Sequence, residues 1–169
     1  MATLFLTSER LKADFANDNV ADEYIRSAIL IVQQELVETI GDCLYGALED
    51  KVADNTINGT PYQVLLDDYI VPFLEFNAMA ELCVLTSFKT GNIGTFTNYD
   101  QNASNNELST VKYIQNHWAQ KGEFYRNRLL KYLDKNKSDF PEWNRCGCDG
   151  LTNPSDNSIT KTNIWLGGK

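Results

Sequence analysis

Cys146, Gly147 and Cys148 put two thiols on a C-x-C spacing near the end of the chain. A structural zinc ion takes four ligands, usually from two such cysteine pairs or from cysteine plus histidine. The only histidine, His117, stands far upstream, so no metal site is expected. A disulfide is not expected in a reducing compartment either. Cys43 and Cys83 fall in apolar helical stretches and read as small buried hydrophobes. The carboxylates Glu35, Asp67, Asp68, Glu75 and Glu81 all fall on predicted helices. A di-metal site in a helical bundle is built from Glu-x-x-His pairs, and none of these residues has a histidine three positions on. Adjacent residues on a helix point about 100° apart, so at most one of Asp67 and Asp68 faces a given site, and the pair reads as a solvated face. Glu81, inside the most apolar stretch, is the carboxylate that burial would make a site candidate by raising its pKa. His117 beside Trp118 reads as an imidazole on a helix flank, since a triad needs a nucleophile and an orienting carboxylate brought to it by folding. The phosphate-cradling and nucleophile-elbow motifs are missing, and a single histidine rules out H-E-x-x-H. The chain therefore reads as non-enzymatic, with no catalytic residue, no cofactor and no metal ligand.

The chemistry-bearing residues sit on a chain of 169 residues with 15 Lys and Arg against 23 Asp and Glu, a net charge of −8. The length fits one domain with a core of its own. A nucleic-acid binder gathers cations on one face. The densest basic stretch, Lys121 to Lys137, also carries Glu123 and Asp134 and reads as a solvated helix face. The acidity argues against wrapping DNA and suits a wall that DNA slides past. No run approaches the ~20 consecutive apolar residues of a membrane span. The opening Met1 to Thr7 lacks the basic region of a signal peptide. These readings give a soluble protein made in a reducing cytoplasm.

Five helices must position these side chains. Leu6 to Phe15 predicts a short first helix, capped by Thr7 or Ser8, with Leu6 as a hydrophobic staple. Asn19 is placed to cap a second, along which Ile25, Ala28, Ile29, Val32, Leu36 and Ile40 recur at helical spacing. Gly41 stands where a helix ends, and Asp42 is placed to cap a third helix with Leu44, Leu48 and Val52 on one face. Asp54 to Thr60 is a loop by composition. Thr60-Pro61 restarts the chain with a capping hydroxyl and proline at the first helical position. The next helix, Tyr62 to Leu85, is apolar all round, as a central core helix must be. Pro72 should kink or break it near Tyr69–Val71.

Thr90 to Asn106 is rich in Gly, Asn and Thr without helical period, a long loop of the kind that is often functional or disordered. Glu107 to Asn136 predicts the last helix, with Val111, Ile114, Trp118, Phe124 or Tyr125, Leu129 and Tyr132 near one stripe. Gly122 interrupts it at some cost in stability. From Ser138 on, polar composition and prolines give a tail that cannot bury itself, in which Ile159 to Leu166 favours a strand. The expected architecture is mainly α: a small bundle of helices over residues 1–137, with a long loop, and an extended C-terminal arm over 138–169. Trp165 in a polar arm is costly unless it anchors an interface. With Ile159, Ile164 and Leu166, and with Asn92, Gly94 and Phe96 of the loop, it is assigned to contacts with neighbours.

The opening Leu6-Thr7-Ser8-Glu9-Arg10-Leu11-Lys12 and the run Asn19-Val20-Ala21-Asp22-Glu23-Tyr24-Ile25 into Ala28-Ile29 resemble tailed-bacteriophage head–tail connector proteins. So does Tyr62-Gln63-Val64-Leu65-Leu66-Asp67-Asp68-Tyr69-Ile70-Val71-Pro72, with Ile40-Gly41, Leu44-Tyr45, Leu48, Phe88-Lys89, Asn92 and Gly94 fitting the same pattern. The likeness is strongest to the versions of crAss-like phages of Bacteroidales and covers Leu6 to Gly94, with a weaker continuation through the last helix. It implies an adaptor subunit that forms a ring, typically a dodecamer, between portal and tail in the virion, assembled in the host cytoplasm. Its partners would be copies of itself, the portal protein, other connector or tail proteins, and DNA that passes without specific binding, with no membrane. Two other readings are a helical binding or regulatory module with a protein or small-molecule partner, and an enzyme with an unfamiliar carboxylate site at Glu81.

Overall fold

A computed structural model of the chain describes residues 3–15, 19–91, 94–97 and 108–144. The fold is mainly α. Among the described residues five helices form the bundle: α1 Ser8–Phe15, α2 Asp22–Ile40, α3 Asp42–Ala53, α4 Pro61–Ser87 and α5 Leu108–Lys135. A short 3-10 turn, Pro141–Asn144, follows α5. The C-terminal arm beyond it, with Cys146 and Cys148, lies outside the described residues.

The apolar stripe of α2 forms as its spacing requires: Ile25, Ala28, Ile29, Val32, Leu36 and Ile40 are all buried. Thr7 caps α1, its Oγ1 accepting the Arg10 N–H at 3.3 Å, and Leu6 and Leu11 are buried beside it. The other capping expectations are corrected. The N-cap of α2 is Ala21, not Asn19, and no side chain closes it; Asp22 and Glu23 still place charge in the first turn, where the macrodipole favours it. Gly41 ends α2 with φ 78° and its N–H on the Val37 carbonyl at 2.8 Å, and the same residue begins α3. Two helices thus share one glycine, and Asp42 is already helical rather than capping. At α4 the Thr60 hydroxyl turns back to the Ile57 carbonyl, while Gln63 Oε1 accepts the Gly59 N–H at 2.9 Å.

Pro72 neither breaks α4 nor stands in a regular helix. Its missing N–H and its ring oppose ordinary α bonding to the preceding turn. Leu66–Ile70 widens into a π-turn in which the Val71 N–H reaches the Leu66 carbonyl, and α-helix resumes at once. By length and composition α4 is apolar enough to cross a membrane; here it is the helix around which the others pack, α5 and α2 forming its two largest interfaces. Both run antiparallel to α4. Thr39 lies near Phe73 and Asn77, and on the other side Trp118 stacks on Phe76 and Tyr132 on Tyr69.

Gly122 has a packing reason. A Cβ there would collide with the Asn77 side-chain amide, so the glycine lets α5 approach α4 at that amide, which is held by its own bond to the Phe73 carbonyl at 2.9 Å.

Two expectations about irregular segments change. Across the start of the stretch read as a loop from Thr90, Phe88–Gly91 pairs antiparallel with Gly94–Thr97, Phe88 opposite Thr97 and Gly91 opposite Gly94. Thr and Phe suit strands, and two intervening residues are the spacing of a tight hairpin. The segment after Ser138 does bury its first residues: Phe140 and Trp143 belong to the core. Phe140 packs edge-on against Tyr62 at 5.1 Å, the Tyr62 hydroxyl donates to Glu142 at 2.6 Å, and Trp143 Nε1 donates to Asp134 at 3.4 Å. The bundle therefore extends past residue 137 at least to Trp143.

At the other end Gln33, 2% exposed, ties residues 3–5 to the bundle. Its Oε1 accepts the Phe5 N–H at 3.2 Å, and its Nε2 donates to the Thr3 carbonyl and the Tyr45 hydroxyl, each at 2.7 Å. Among the described residues no buried side-chain polar atom lacks a partner.

Candidate interaction surface

The carboxylates singled out in the sequence do not converge. Glu75 is buried on α4 against α1, with Arg10 Nε 3.0 Å from its Oε1 and Asp14 3.6 Å from the same Arg10 nitrogen. Burial pushes its carboxyl above the usual range, Arg10 opposing and Asp14 adding to the rise. The cluster docks a short helix onto the core. Glu35, exposed on α2, is raised by partial burial and then by the charge of Glu81 across on α4. Glu81 itself is half-buried. Asp67 and Asp68 are exposed on the π-turn. His117 is exposed, edge-on to Trp118 at 5.3 Å. Cys43 is exposed, not buried as read from its context, because it follows the shared glycine on the outer side of α3; Cys83 is half-buried, and burial pushes its thiol up. Among the described residues no group of three His, Cys, Asp or Glu could hold a metal ion.

A groove of about 320 Å³ runs between α2, α4 and α5, lined by Glu35, Glu38, Thr39, Asn77, Glu123 and Arg126 among others. Its walls are mostly charged, and Arg126 is already engaged by Glu123 at 3.4 Å.

The larger feature is the seam between α4 and α5. Tyr69 and Tyr132 stack at 4.1 Å. Phe76 stacks on Tyr125 at 5.1 Å and on Trp118 at 6.0 Å, and Phe15 of α1 meets Phe76 and Trp118 edge-on. Two cations close the seam from outside. Lys121 Nζ lies 4.8 Å from the Trp118 ring centre, and the Arg128 guanidinium 5.4 Å from Tyr125 and 5.5 Å from Tyr69. Such contacts contribute about 0.5–1 kcal/mol at exposed sites, enough to bias the charged heads toward the seam.

Beyond this seam α5 presents Tyr113, 73% exposed, and Phe124, 58% exposed, with Ile114 at 38%. On α2, Tyr24 and Ile31 are exposed as well, at 38% and 43%. Exposed aromatic and branched side chains are of the types that anchor protein interfaces. Tyr113, Tyr24 and Ile31 were not singled out from the sequence as exposed, and Ile114 and Phe124, read there as members of the apolar stripe, are corrected to exposed positions. The signal was phase: Tyr125 and Leu129 fit the buried stripe of α5, which puts Phe124 one residue out of step. Of the residues that were assigned to contacts, Gly94 and Phe96 lie in the second strand of the hairpin. Asn92, Ile159, Ile164, Trp165 and Leu166 lie outside the described residues.

The profile of a family of unknown function, DUF6712, matches residues 36–151, and the chain belongs to that family. No curated protein and no solved structure matches it.

Proposed function

We propose that this member of the DUF6712 family is a structural ring subunit, a head–tail connector that joins portal to tail in a tailed phage and lines the passage for DNA. One observation carries the reading: large apolar side chains are exposed on two separate helices, Tyr24 and Ile31 on α2 and Tyr113, Ile114 and Phe124 on α5. Two different sticky faces on one subunit suit a heterologous contact repeated around a closed ring. The likeness of Leu6 to Gly94 to connector proteins supplies the setting. The net charge of −8 suits a wall past which a polyanion moves without adhering. In this reading the arm after Trp143, with Trp165, reaches a neighbouring subunit or the portal.

The test is the mass of the full chain in solution, alone and mixed with the portal ring of the same source. A ring alone, or a stoichiometric complex with the portal, is the expected result. A monomer indifferent to the portal overturns the connector reading, and one that also binds a small molecule or another protein favours the binding-module alternative.

A further inference from the structure

The exposed apolar residues of α2 and α5 belong to two stripes of the same spacing and opposite charge. On α5, His117, Phe124, Arg128 and Lys131 follow one another at steps of seven, four and three residues, and all are exposed. On α2, Tyr24, Ile31, Glu35 and Glu38 follow at the same steps, again all exposed. Steps of three, four and seven keep residues on one helix face. Each stripe is apolar or aromatic toward its N-terminal end and charged toward its C-terminal end. The charges around them agree: α5 carries six Lys and Arg against two acids in a chain of net charge −8, whereas α2 carries four acids and one arginine.

Within one subunit the stripes do not meet. Glu35 and Glu38 border the groove, and across it α5 shows Glu123 and Arg126, not Phe124 or Arg128. The buried residues Val111, Leu129 and Leu133 turn the other face of α5 to the core, so Phe124 and Lys131 point outward.

We propose that the outer stripe of α5 docks on the α2 stripe of a second copy of this chain, the helices parallel, with Phe124 against Ile31, Arg128 against Glu35 and Lys131 against Glu38. The pairing is heterologous, because each copy uses one stripe on each side. Parallel helices are also what rotation about an axis along the bundle generates, since α2 and α5 already run the same way within one subunit. The Tyr69 and Tyr125 rings bias Arg128 toward this position before any partner arrives, which lowers the ordering cost of the contact. Glu35, whose ionised form is disfavoured in the lone subunit, gains a cation there. This contact rests on the ring reading and specifies the surface by which the ring closes.

The experiment is the mass of the full-length chain by light scattering at low and high salt, for the wild type and two double variants. One carries Arg128→Glu with Lys131→Glu, the other Glu35→Lys with Glu38→Lys. All four positions are exposed, and unchanged helix content confirms that each variant folds; Phe124→Ser, which changes no charge, serves as a second probe of the same face. Each double variant alone is expected to self-associate at least about tenfold more weakly than the wild type, and salt should weaken the wild type in the same direction. An equal mixture of the two variants is expected to recover assembly, because every junction then joins an acidic stripe to a basic one. A mixture that stays monomeric, or variants that assemble like the wild type, overturns this contact while leaving a ring built on another surface intact. A wild type that stays monomeric at low salt also overturns it, and mixing with the portal then decides the connector reading separately.

Discussion

The two flanks of α4 are finished in different ways. On the side of α1 to α3 the polar groups close on one another: Gln33 makes three hydrogen bonds to the N-terminal segment and Tyr45, and Arg10 engages the buried Glu75. On the side of α5 the interface is aromatic, sealed by Lys121 and Arg128, and beyond it Tyr113 and Phe124 are left in solvent. On the first flank the inner donors and acceptors are mutually satisfied and hold the fold, and the surface left for a partner is the outer face of α2, with Tyr24, Ile31, Glu35 and Glu38. A flank that leaves aromatic surface and cations outside has surface to offer. In the proposed ring, the side chains that hold the fold differ from those that would join subunits, and substitutions should separate them.

The largest effect on stability is expected at Trp143, 2% exposed in the shared core. Trp143→Ala should cost about 3–5 kcal/mol in urea unfolding; a loss below 1 kcal/mol would mean that the segment after α5 is not part of the cooperative unit. Gln33→Ala comes next. It strands the Phe5 N–H and the Tyr45 hydroxyl, at a cost of about 1–3 kcal/mol, and should speed exchange of the Phe5 amide. An unchanged amide would show that residues 3–5 are held by packing alone.

Glu75 tests the same flank through pH. Its carboxyl is raised in the folded chain, chiefly by burial. A group of this kind favours the fold most below its unfolded pKa and loses that contribution as pH rises through the raised value. Glu75→Gln, which keeps a partner for Arg10, should therefore gain in melting temperature relative to wild type between about pH 4 and pH 7. A relative loss over that range would mean that the Arg10 ion pair outweighs burial. The smallest effect on stability belongs to the other flank: Phe124→Ser should change unfolding by less than about 0.5 kcal/mol while lowering self-association. If it destabilised the monomer as much as Gln33→Ala, the contrast between the flanks would be lost.

Much of the fold was legible in the chain. The α2 stripe, the Gly41 boundary, Pro61 at the start of α4 and the central role of that helix all follow from spacing and residue type. What was not legible needed information from elsewhere in the fold. Gly122 reads locally as a weak point, and only Asn77 opposite explains it. Phe140 and Trp143 stand among Ser, Asp, Pro, Glu and Asn, too few to give a period, and their burial depends on Tyr62 and α3 standing ready. Asn19 and Thr60 are good caps by type, but the chain reaches both helices in geometries that leave their side chains unused as caps. The proposed association surface was half legible: Phe124 and Tyr125 both suit the α5 stripe by type, and a difference of one residue decides which faces water.

The π-turn of α4 works as an indexing step. One extra residue in a turn advances the following helix by about 100° relative to an uninterrupted rod. The stretch Pro61–Leu65 can thus aim Tyr62 at Lys51 of α3 and at Phe140, while Val71–Ser87, clocked round by that step, aims Phe73 toward α2 and Phe76 toward α5. A single continuous helix thus presents two facings to one core, with Pro72 directly after the step, where its ring opposes a return to ordinary α bonding.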